Sequence, residues 1–488
     1  MDETFDFNKI LSCAMKTESY NNHINICAIG IYSPFFNNGE PYIIIKRGFP
    51  NDKFIKFILE AIPDKSIIFS HDLNYDGRFI LDYCEHNDIE YETKTIEGRI
   101  IRIIIFLKKD NKKIKLIFRD NFALLRYSLE ALTKGFEVQH KKVKLDYNIE
   151  IDDPRFKQHF ENDLIGLYEV LEKENNYGLL EKDAFDLNVI SIYKKENPEI
   201  NFEKCDPIID EIIRKSYYGG RKERFWAFPP FKNGFNILYY YKFNSLYPYV
   251  MWKYEYPLPI KVNLEYIEKY DPSKLSICFV CVKTPPNLKI PVLPYRTEEG
   301  EVIFPAGEFC GVYTSSEINL ALSQGYKIDF IGIYQFEKTG YIFRKWVEEH
   351  YQKKINAPNH LIETIETSIL NSLYKIFIKK SITGHLKKIS EEEFFKGGMK
   401  KFFKIGSHYY VEVDKKEDEY PDFIHSEIAS FITANARVEL YNMMLKAGLD
   451  NIYSCNTDYM VTCKKLPDEY VDDKTLGKMR LGRIIQPD

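Results

Sequence analysis

The feature that most limits what this chain can fold into is an apolar, aromatic run that leads directly into a tight turn. The run extends from Phe235 to Tyr241, and the turn is Ser245-Leu246-Tyr247-Pro248. Consecutive aromatic and apolar residues, closed by a turn that contains proline, favour a buried β-strand. Such a strand presents the side chain at its end to the edge of a sheet, and the residue at that point is Lys242.

The composition is that of a large soluble protein. The 488 residues allow two to four domains with a large core, and 44% apolar and 29% charged residues are ordinary values for globular proteins. No apolar run is long enough to predict a transmembrane helix. The net charge of -4 does not exclude nucleic-acid binding, because phosphate contact requires only a local basic groove.

The cysteines and aromatic residues give hints about location. Nine cysteines without regular spacing indicate reduced thiols in an intracellular protein. Cys278 and Cys281 have redox or zinc spacing, but they lie in an apolar run with no second pair nearby, so we interpret them as packing residues. The N-terminus lacks a signal-peptide or transit pattern. The many Tyr, Phe, Ile, Asn and Lys residues are typical of AT-rich coding, which suggests an organelle such as the mitochondrion, a linear plasmid or a virus.

The first 175 residues are predicted to alternate strands and helices. Asp6 is expected to end the first strand, Asp76 follows a short buried strand, and Asp163 lies in a long helix. A two-metal nuclease needs about four carboxylates that converge on two cations about 4 Å apart. Any one of these acids is also compatible with a solvated surface, so only their combination predicts a nuclease site. The predicted strands cover residues 25–32, 41–46, 66–69, 100–107 and 114–118, the last two as a hairpin around Asp110-Asn111, and the predicted helices cover residues 53–61 and 155–174.

With its flanking residues, this set resembles the 3'-5' exonuclease domain of family-B DNA polymerases, in particular the protein-primed type. Phe5-Asp6-Phe7-Asn8 is similar to the first exonuclease motif, Asp-x-Glu, with Asn8 in place of the glutamate. The stretch from His71 to Ile80 is similar to the second motif, keeping Asp76 and changing an asparagine to Asp72. His159 to Asp163 is similar to the third motif, with histidine in place of tyrosine. We therefore expect a weakened or absent exonuclease, with Asp72 as a candidate substitute ligand.

The segment between the predicted domains contains two adjacent glycines in a turn, Ser216-Tyr217-Tyr218-Gly219-Gly220-Arg221. Glycines let the backbone approach a ligand closely, although a plain linker turn would look the same. The turn is similar to the Tyr-x-Gly-Gly motif that binds single-stranded template in this family. This likeness implies nucleic-acid contacts by Tyr217, Gly219, Gly220 and Arg221, and Arg221, Lys222 and Arg224 would suit phosphate.

The opening stretch resembles the first palm motif, in which an aspartate binds metal ahead of a Ser-Leu-Tyr platform for the incoming nucleotide. Lys242 takes the place of that aspartate, and Ser245, Leu246 and Tyr247 keep the platform. The predicted helix 362–374 resembles the fingers motif. It keeps Asn371 and Tyr374 as nucleotide-binding-like residues, but it has Thr367 in place of the lysine that grips the triphosphate and Lys375 in place of a glycine.

The predicted hairpin at 451–461 resembles the third palm motif, Asp-Thr-Asp-Ser. Asp458 is kept, Asn456 replaces the first aspartate and Tyr459 replaces the serine. A predicted helix, 424–445, packs under this palm. Family members use Mg²⁺, so the resemblance implies a Mg²⁺ site that is weak or absent here. The metal ligands that remain as candidates are Asp458 in the palm and Asp6, Asp76 and Asp163 in the exonuclease-like domain.

Two segments resemble the insertions of protein-primed polymerases. Residues 257–354 correspond to the first, whose usual partners are the priming protein and DNA, and residues 380–420 correspond to the second. A group of lysines near the second is either a solvated face or a nucleic-acid contact. The chain ends after a predicted strand, 476–480, that would enter the thumb, so the thumb is expected to be largely missing. The group of lysines near the second insertion consists of Lys375, Lys379, Lys380, Lys387 and Lys388.

The expected architecture is mixed, α/β and α+β, and multidomain. A ribonuclease-H-like exonuclease domain (1–175) and a linker (176–230) precede palm and fingers (231–488). Three functions stay open. The first is a catalytically dead polymerase fold that binds DNA, RNA or protein, the second a working plasmid, viral or organellar DNA polymerase, and the third a residual exonuclease. The sequence favours the first, because both sites have lost ligands while the apolar framework is intact.

Overall fold

The structure of the protein is a computed structural model, and it divides into two compact units. It describes residues 5–20, 23–109, 112–142, 150–225, 237–260, 265–379, 383–396, 402–414 and 421–486. The first unit comprises Met1–Ile192, Pro358–Ile365 and Ser381–Glu417, and the second comprises Tyr193–Ala357, Glu366–Lys380 and Asp418–Asp488. The predicted turn at Asp110-Asn111, the start of the palm strand at 235–236 and Lys380 lie outside the described residues.

The strands are numbered along the chain. They are β1 (Ile10–Tyr20), β2 (His23–Tyr32), β3 (Tyr42–Ile45), β4 (Ile67–Ser70), β5 (Glu90–Ile96), β6 (Arg99–Lys109), β7 (Lys112–Asp120), β8 (Lys222–Arg224), β9 (Leu238–Phe243), β10 (Tyr256–Pro257), β11 (Glu265–Tyr266), β12 (Ser276–Lys283), β13 (Tyr295–Arg296), β14 (Val302–Ile303), β15 (Glu308–Thr314), β16 (Lys327–Gln335), β17 (Thr339–Gly340), β18 (Gly384–Ile389), β19 (Phe402–Ile405), β20 (His408–Asp414), β21 (Ile452–Asn456), β22 (Tyr459–Thr462) and β23 (Met479–Ile485).

The helices are numbered in the same way. They are α1 (Asn51–Ala61), α2 (Leu73–His86), α3 (Leu129–Gly135), α4 (Pro154–Asn176), α5 (Phe185–Glu196), α6 (Pro207–Ile213), α7 (Leu246–Lys253), α8 (Ser315–Ser323), α9 (Arg344–Ile355), α10 (His360–Ile376), α11 (Glu391–Lys396) and α12 (Ser426–Ala447). Among the described residues, no helix is both long enough and apolar enough to cross a membrane.

The first unit is built on one sheet with the strand order β19-β20-β18-β5-β6-β7-β4-β1-β2-β3. Strands β1, β4 and β7 run parallel to one another, and the outer pairs are antiparallel. Helices α1 and α2 cover one face over an apolar core that includes Phe54, Ile80 and Ile103. Helix α4 packs on β1 and β2, with Phe160 and Leu164 buried between them.

The predicted elements of this unit are confirmed where the structure describes them. The patterns located β2, β3, β4, α1 and the β6–β7 hairpin to within a few residues. The predicted helix from Arg155 is α4, which begins with the Asp153 carboxylate accepting from the Arg155 N–H and with proline at the first helical position. The expectation that Asp6 ends the first strand is wrong, because Asp6 lies before β1 and caps a short 3₁₀ turn, Phe7–Lys9.

The second predicted insertion groups with the first unit rather than with the palm. Strand β18 continues the large sheet, with Gly384 opposite Thr95 of β5, and it pairs along its length with β20. The Lys388 Nζ lies 2.6 Å from a Glu85 carboxylate oxygen, and the Tyr410 hydroxyl donates to the same side chain. Lys388 is therefore ion-paired within the sheet unit, although about half of its side chain is exposed.

The second unit contains a sheet with the order β23-β9-β22-β21-β8. The predicted palm strand is its β9, and the predicted 451–461 hairpin is β21–β22. Strand β23 overlaps the predicted strand 476–480 and pairs with β9, with Met479 opposite Phe243. Strand β8 pairs with β21, so part of the expected linker belongs to this sheet. Helix α12 is buried along most of its length.

The first predicted insertion forms a separate sheet in this unit, with the order β11-β16-β12-β15. Cys281 of β12 lies directly opposite Cys310 of β15, and the two form a disulfide. The expectation that all nine cysteines are reduced is wrong for this pair, because the antiparallel register brings their side chains together. Cys278 is a buried free thiol beside Ser276, and it does not pair with Cys281.

Candidate functional site

The end of the palm strand carries an ion pair where the family pattern has two carboxylates. Strands β9 and β22 are antiparallel, with Lys242 opposite Tyr459, and the Phe243 N–H donates to the Asp458 carbonyl at 2.8 Å. This pairing brings the Lys242 Nζ to 3.3 Å from Asp458 Oδ2. Both side chains are partly exposed, at 44% and 31%. The ammonium group therefore lies against the carboxylate that was predicted to survive as a metal ligand.

Asn456, the other replaced aspartate, is used within the turn itself. Its side-chain amide donates to the Tyr459 hydroxyl at 3.3 Å, and its Oδ1 accepts from the Thr457 hydroxyl at 3.1 Å. A neutral amide committed to local hydrogen bonds does not add the negative charge that a divalent cation requires.

The Ser-Leu-Tyr turn is retained as the start of α7. Ser245 has a φ of 56°, and its hydroxyl accepts from Lys354 Nζ at 2.9 Å. Leu246 is buried. The ring of Tyr247 stacks on that of Tyr374, with centroids 4.3 Å apart, and burial raises the pKa of Tyr247 to about 12. The platform and the fingers-like tyrosine predicted from the sequence are thus brought together.

Helix α10 confirms the predicted fingers helix. Its apolar stripe, which includes Ile365, Ile369 and Leu373, is buried. Thr367 and Asn371 lie on the partly exposed side of the same helix. Thr367 has no charge with which to hold a triphosphate, so the helix keeps the family's shape without its cationic contact.

The two-glycine turn lies against the palm hairpin. Gly219 has a φ of 78°, and its carbonyl accepts from Arg437 Nη1. A Cβ on Gly220 would lie 2.6 Å from Thr457 Oγ1, so only glycine fits at this close approach. The Thr457 N–H donates to the Arg221 carbonyl at 2.7 Å, which ties the turn to the hairpin.

Arg221 does not lie where a phosphate contact requires it. Its side chain is 1% exposed, pairs with Glu223, and stacks over the Phe304 ring at 4.0 Å. The arginine therefore holds the turn together from inside. Tyr217 is largely buried as well, and burial raises its pKa. The sequence could not show this burial, since Phe304 is distant along the chain.

In the first unit, Asp163 of α4 is held by two lysines. Lys16 Nζ and Lys142 Nζ each lie 2.8 Å from Asp163 Oδ2, and His159 Nε2 is 3.9 Å away. The carboxylate is 2% exposed. Burial alone raises its pKa, but the charges of Lys142 and Lys16 outweigh that effect and lower the pKa below its usual value. Neither lysine was predicted as a site residue.

Asp76 lies near this cluster at the start of α2. The Ser70 hydroxyl donates to it, and burial, with smaller contributions from neighbouring carboxylates, raises its pKa to about 7. Lys16 also acts on its charge. Asp72, the candidate substitute ligand, is 53% exposed and pairs with Arg99 at 2.8 Å. Asp72 is therefore ion-paired with Arg99, which also lies 3.4 Å from Asp120.

Asp6 and Asn8 lie at the other end of the neighbouring strand. Ile10 of β1 is opposite Ile67, whereas Cys13 is opposite Ser70, about 10 Å further along at the usual strand rise. Asp6 precedes Ile10 and lines a cleft beside Ile67. The structure therefore separates Asp6 from Asp76 and Asp163, so its prediction as a ligand of the same site is wrong.

The spacing of the first exonuclease motif falls instead on Ala14 and Lys16. Residues two apart on a strand share a face, and Lys16 reaches Asp163 while Ala14 packs in the α4 core cluster. An acid-x-acid pattern shifted to these positions would face Asp163. The signal that could have revealed them is strand register, because they lie inside the strand and Asp6 lies before it.

Neither set of residues fits a pair of divalent cations. Among the described residues, no three His, Cys, Asp or Glu side chains are grouped so that they could hold a metal ion. The two best-placed carboxylates, Asp458 and Asp163, already carry lysine ammonium groups at 3.3 Å and 2.8 Å. In both sites a cationic side chain therefore lies where an acidic ligand would be needed.

Comparison with known proteins relates the chain to polymerases. The model of the family described as DNA polymerase type B, organellar and viral, matches residues 58–177 and 156–445. A probable DNA polymerase of Neurospora intermedia is 27% identical over 86% of the chain, and the match spans 50% of that relative. A probable DNA polymerase of Podospora anserina is 26% identical over 81% of the chain and 39% of its own length. The chain thus spans half or less of these two fungal relatives.

The phage relatives are covered more fully. The DNA polymerase of Bacillus phage B103 is 23% identical over 96% of the chain and 83% of its own length. The solved structure of phi29 DNA polymerase with primer-template DNA and incoming nucleotides has a TM-score of 0.77 at 19% identity, covering 98% of this chain and 84% of that one. The resemblance and the fold class expected from the sequence are confirmed.

Proposed function

The chain belongs to the family of organellar and viral type-B DNA polymerases, and we propose that it is a non-catalytic member. In this proposal the chain keeps the fold as a scaffold that binds nucleic acid or a partner protein. The observation that carries the proposal is the ion pair between Lys242 and Asp458. It commits the remaining palm aspartate to a cation that is part of the chain.

The electrostatic argument concerns what two-metal chemistry needs. Phosphoryl transfer by two Mg²⁺ ions requires acidic ligands and a clamp on the triphosphate. A divalent ion about 4 Å from the Lys242 ammonium is repelled by roughly 8 kcal/mol at an effective dielectric of about 20, and solvent lowers this value at a partly exposed site. One aspartate at the same distance from the ion only cancels that repulsion and leaves no net attraction, and Asn456 and Thr367 supply no charge.

The exonuclease-like site supports the same proposal independently. Lys16 and Lys142 neutralise Asp163, and Asp6 lies elsewhere. Two sites with different chemistry have thus each gained a cation beside the surviving aspartate. Loss of metal ligands at only one of the two sites would favour an enzyme that retains the activity of the other site.

Nucleic acid is the partner that we favour for the scaffold. The structural relative phi29 DNA polymerase is described in complex with primer-template DNA and, in a second structure, with single-stranded DNA. The fold of this chain retains the stacked pair Tyr247 and Tyr374 beside the palm strand. Binding through stacking and backbone contacts does not require Mg²⁺. A protein partner in a larger assembly is the alternative, and an organelle, a linear plasmid or a virus is the origin suggested by the composition.

The test is a labelled primer-template incubated with Mg²⁺ or Mn²⁺, with a phage relative as the active control. We expect neither extension nor degradation. Measurable extension would contradict the proposal and favour a working polymerase. Degradation without extension that is abolished by Asp163→Ala would favour a residual exonuclease.

Binding is measured separately on the same DNA in EDTA, by gel shift over a range of salt concentrations. We expect an affinity that falls steeply with salt, because each neutralised phosphate releases a counterion. If the chain shows neither catalysis nor binding of nucleic acid, a scaffold that binds a partner protein is the function that stays open.

A further inference from the structure

We propose that an open cleft on the first unit is a binding site for a nucleotide phosphate group, separate from both polymerase-like sites. The cleft has a volume of ≈ 940 Å³, which is in the range of ligand sites. Seven of its fifteen lining residues are Lys or Arg and three are Asp or Glu. The remaining five are apolar, so the cleft combines an excess of positive charge with an apolar floor.

The positive charge is concentrated by strand register. Lys94 of β5 lies opposite Arg102 of β6, and Arg102 lies opposite Arg119 of β7. Like charges directly opposite one another on neighbouring strands are destabilising. Three cations in one row across adjacent strands therefore call for an anion, and Asp183 is the carboxylate that contacts all three.

The single negative charge of Asp183 does not neutralise the three cations of this row. Its carboxylate lies 3.0 Å from Arg119, Lys94 and Arg102 alike. Arg119 is the buried structural partner, since it also donates to the carbonyls of Leu180 and Lys182. Lys94 and Arg102 thus share a carboxylate that a third cation already neutralises. Burial alone raises the pKa of Asp183, but the charges of Arg119, Lys94 and Arg102 outweigh it and hold the pKa at about 2.

The floor of the cleft is apolar, and further cations lie beyond it. Ile104 and Ile117 form the next row of the sheet, with Ile67 beside them. Lys65 and Lys115 adjoin one another past this row, where the Lys65 N–H donates to the Lys115 carbonyl. Four residues of strand separate Lys115 from Arg119, or about 13 Å. A single phosphate cannot reach both ends, whereas a nucleotide has an apolar base for the floor and phosphates for the cations.

An acidic peptide fits the cleft less well. Peptides commonly bind by adding a strand to a free sheet edge. Strands β4, β5, β6 and β7 are consecutive interior strands of the sheet, so the cleft offers no edge. Recognition must therefore use side chains alone, and Arg and Lys side chains suit phosphate.

The ligand has two sources with the same chemistry, a free nucleotide or a nucleotide within a single strand. The experiment measures binding of a fluorescent ATP analogue and of a labelled oligothymidylate to the full chain in EDTA. The cleft variant is Lys9→Gln/Lys65→Gln, because both lysines line the cleft and both side chains are exposed. The matched control is Lys56→Gln/Lys157→Gln, two exposed lysines on α1 and α4 of the same unit.

We expect the cleft variant to bind oligothymidylate at least about tenfold more weakly, with a salt slope lower by about 1.4, which is about 0.7 per lysine on a single strand. The control variant should bind like the unmodified chain. Binding of the ATP analogue with the same dependence on Lys9 and Lys65 identifies a free nucleotide as a ligand. Binding of the oligonucleotide alone identifies a strand.

Three results would contradict the proposal that this cleft binds a nucleotide phosphate. The first is a cleft variant, shown by its melting temperature to be folded, that binds both probes normally. The second is displacement of the probes by polyglutamate at lower concentration than by inorganic phosphate. The third is loss of binding only in Tyr247→Ala, which would assign the nucleic acid to the palm and leave the proposed scaffold function standing.

Discussion

Lys242 lies near the end of β9 and Asp458 lies in the turn that precedes β22, with the lysine Nζ 3.3 Å from one carboxylate oxygen of the aspartate. The contact is an internal ion pair at the point where a two-metal polymerase holds its cations. The pair stabilises the hairpin only modestly, since partly exposed ion pairs contribute about 0–1 kcal/mol. Its main consequence is for metal binding, and that consequence is reversible by mutation.

The first prediction is that Lys242→Asp with Asn456→Asp and Thr367→Lys restores metal binding. The two new carboxylates join Asp458, and removal of the ammonium removes the repulsion of roughly 8 kcal/mol. We expect Mn²⁺ to bind at least about tenfold more tightly than to the unmodified chain, measured by calorimetry.

The matched control is Lys242→Asn with Asn456→Asp, which removes the cation but supplies one new carboxylate fewer. It should show a smaller gain than the triple variant. Equal Mn²⁺ affinities for the control, the triple variant and the unmodified chain would mean that repulsion by Lys242 is not what prevents metal binding.

The second prediction is that Ala14→Asp with Lys16→Glu restores an exonuclease. Both positions lie on the β1 face toward α4, where Lys16 contacts Asp163. The substitutions remove one of the two lysines on Asp163 and add two acids. We expect Mg²⁺-dependent shortening of a labelled single strand, and we expect none from the unmodified chain.

Two further substitutions on that background locate the site. Asp163→Asn should abolish the shortening, whereas Asp6→Asn should leave it unchanged because Asp6 lines the cleft at the other end of β4. Loss of activity with Asp6→Asn would return Asp6 to the catalytic set.

The sequence predicted the palm more accurately than the exonuclease-like site, for a physical reason. Lys242 and Asp458 each lie beside a strand end that is marked by its own local pattern, so short motifs located them. The prediction of Asp6 rests on a two-position pattern in which only the aspartate matches, and only the register of β1 against β4 shows that Lys16 occupies the motif.

Local sequence patterns also do not predict contacts between segments that are distant along the chain. The burial of Arg221 depends on Glu223 and on Phe304, which is far along the chain. The assignment of the second insertion depends on one strand pairing, between Gly384 and Thr95. Periodicity predicts that such strands exist, but not the partner that each one chooses.

The third prediction concerns the close approach of Gly220 to Thr457. A Cβ at position 220 would lie 2.6 Å from Thr457 Oγ1 and 3.0 Å from its Cβ. Gly220→Ala should therefore lower the free energy of unfolding by about 1–3 kcal/mol, the usual cost of overpacking. Chemical denaturation measures this change.

The compensating change is Thr457→Gly, which removes the clashing side chain and relieves a φ of 58°. The double variant should recover most of the stability lost in Gly220→Ala, with a coupling energy of about 1 kcal/mol or more. Additive effects of the two substitutions would mean that the turn and the hairpin do not touch.

The fourth prediction is a pH dependence set by His350. This buried side chain lies between two carboxylates, 2.8 Å from Glu366 and 3.1 Å from Glu196, with Lys353 near the latter at 3.9 Å. Burial alone lowers the pKa of His350, but the hydrogen bonds to Glu196 and Glu366 outweigh it and raise the pKa above its usual value. The imidazolium is therefore favoured in the folded state.

A raised folded-state pKa contributes stability that is fully present below the unfolded value of about 6.5 and is lost as pH rises through the folded value. His350→Gln should thus destabilise the chain by about 1–3 kcal/mol near pH 6, and by less at alkaline pH. The control is His360→Gln, whose side chain is 93% exposed, and its stability should stay close to that of the unmodified chain. A loss of stability in His350→Gln that grows as pH rises would mean that the folded state holds a neutral imidazole. The two carboxylates would then need another proton donor.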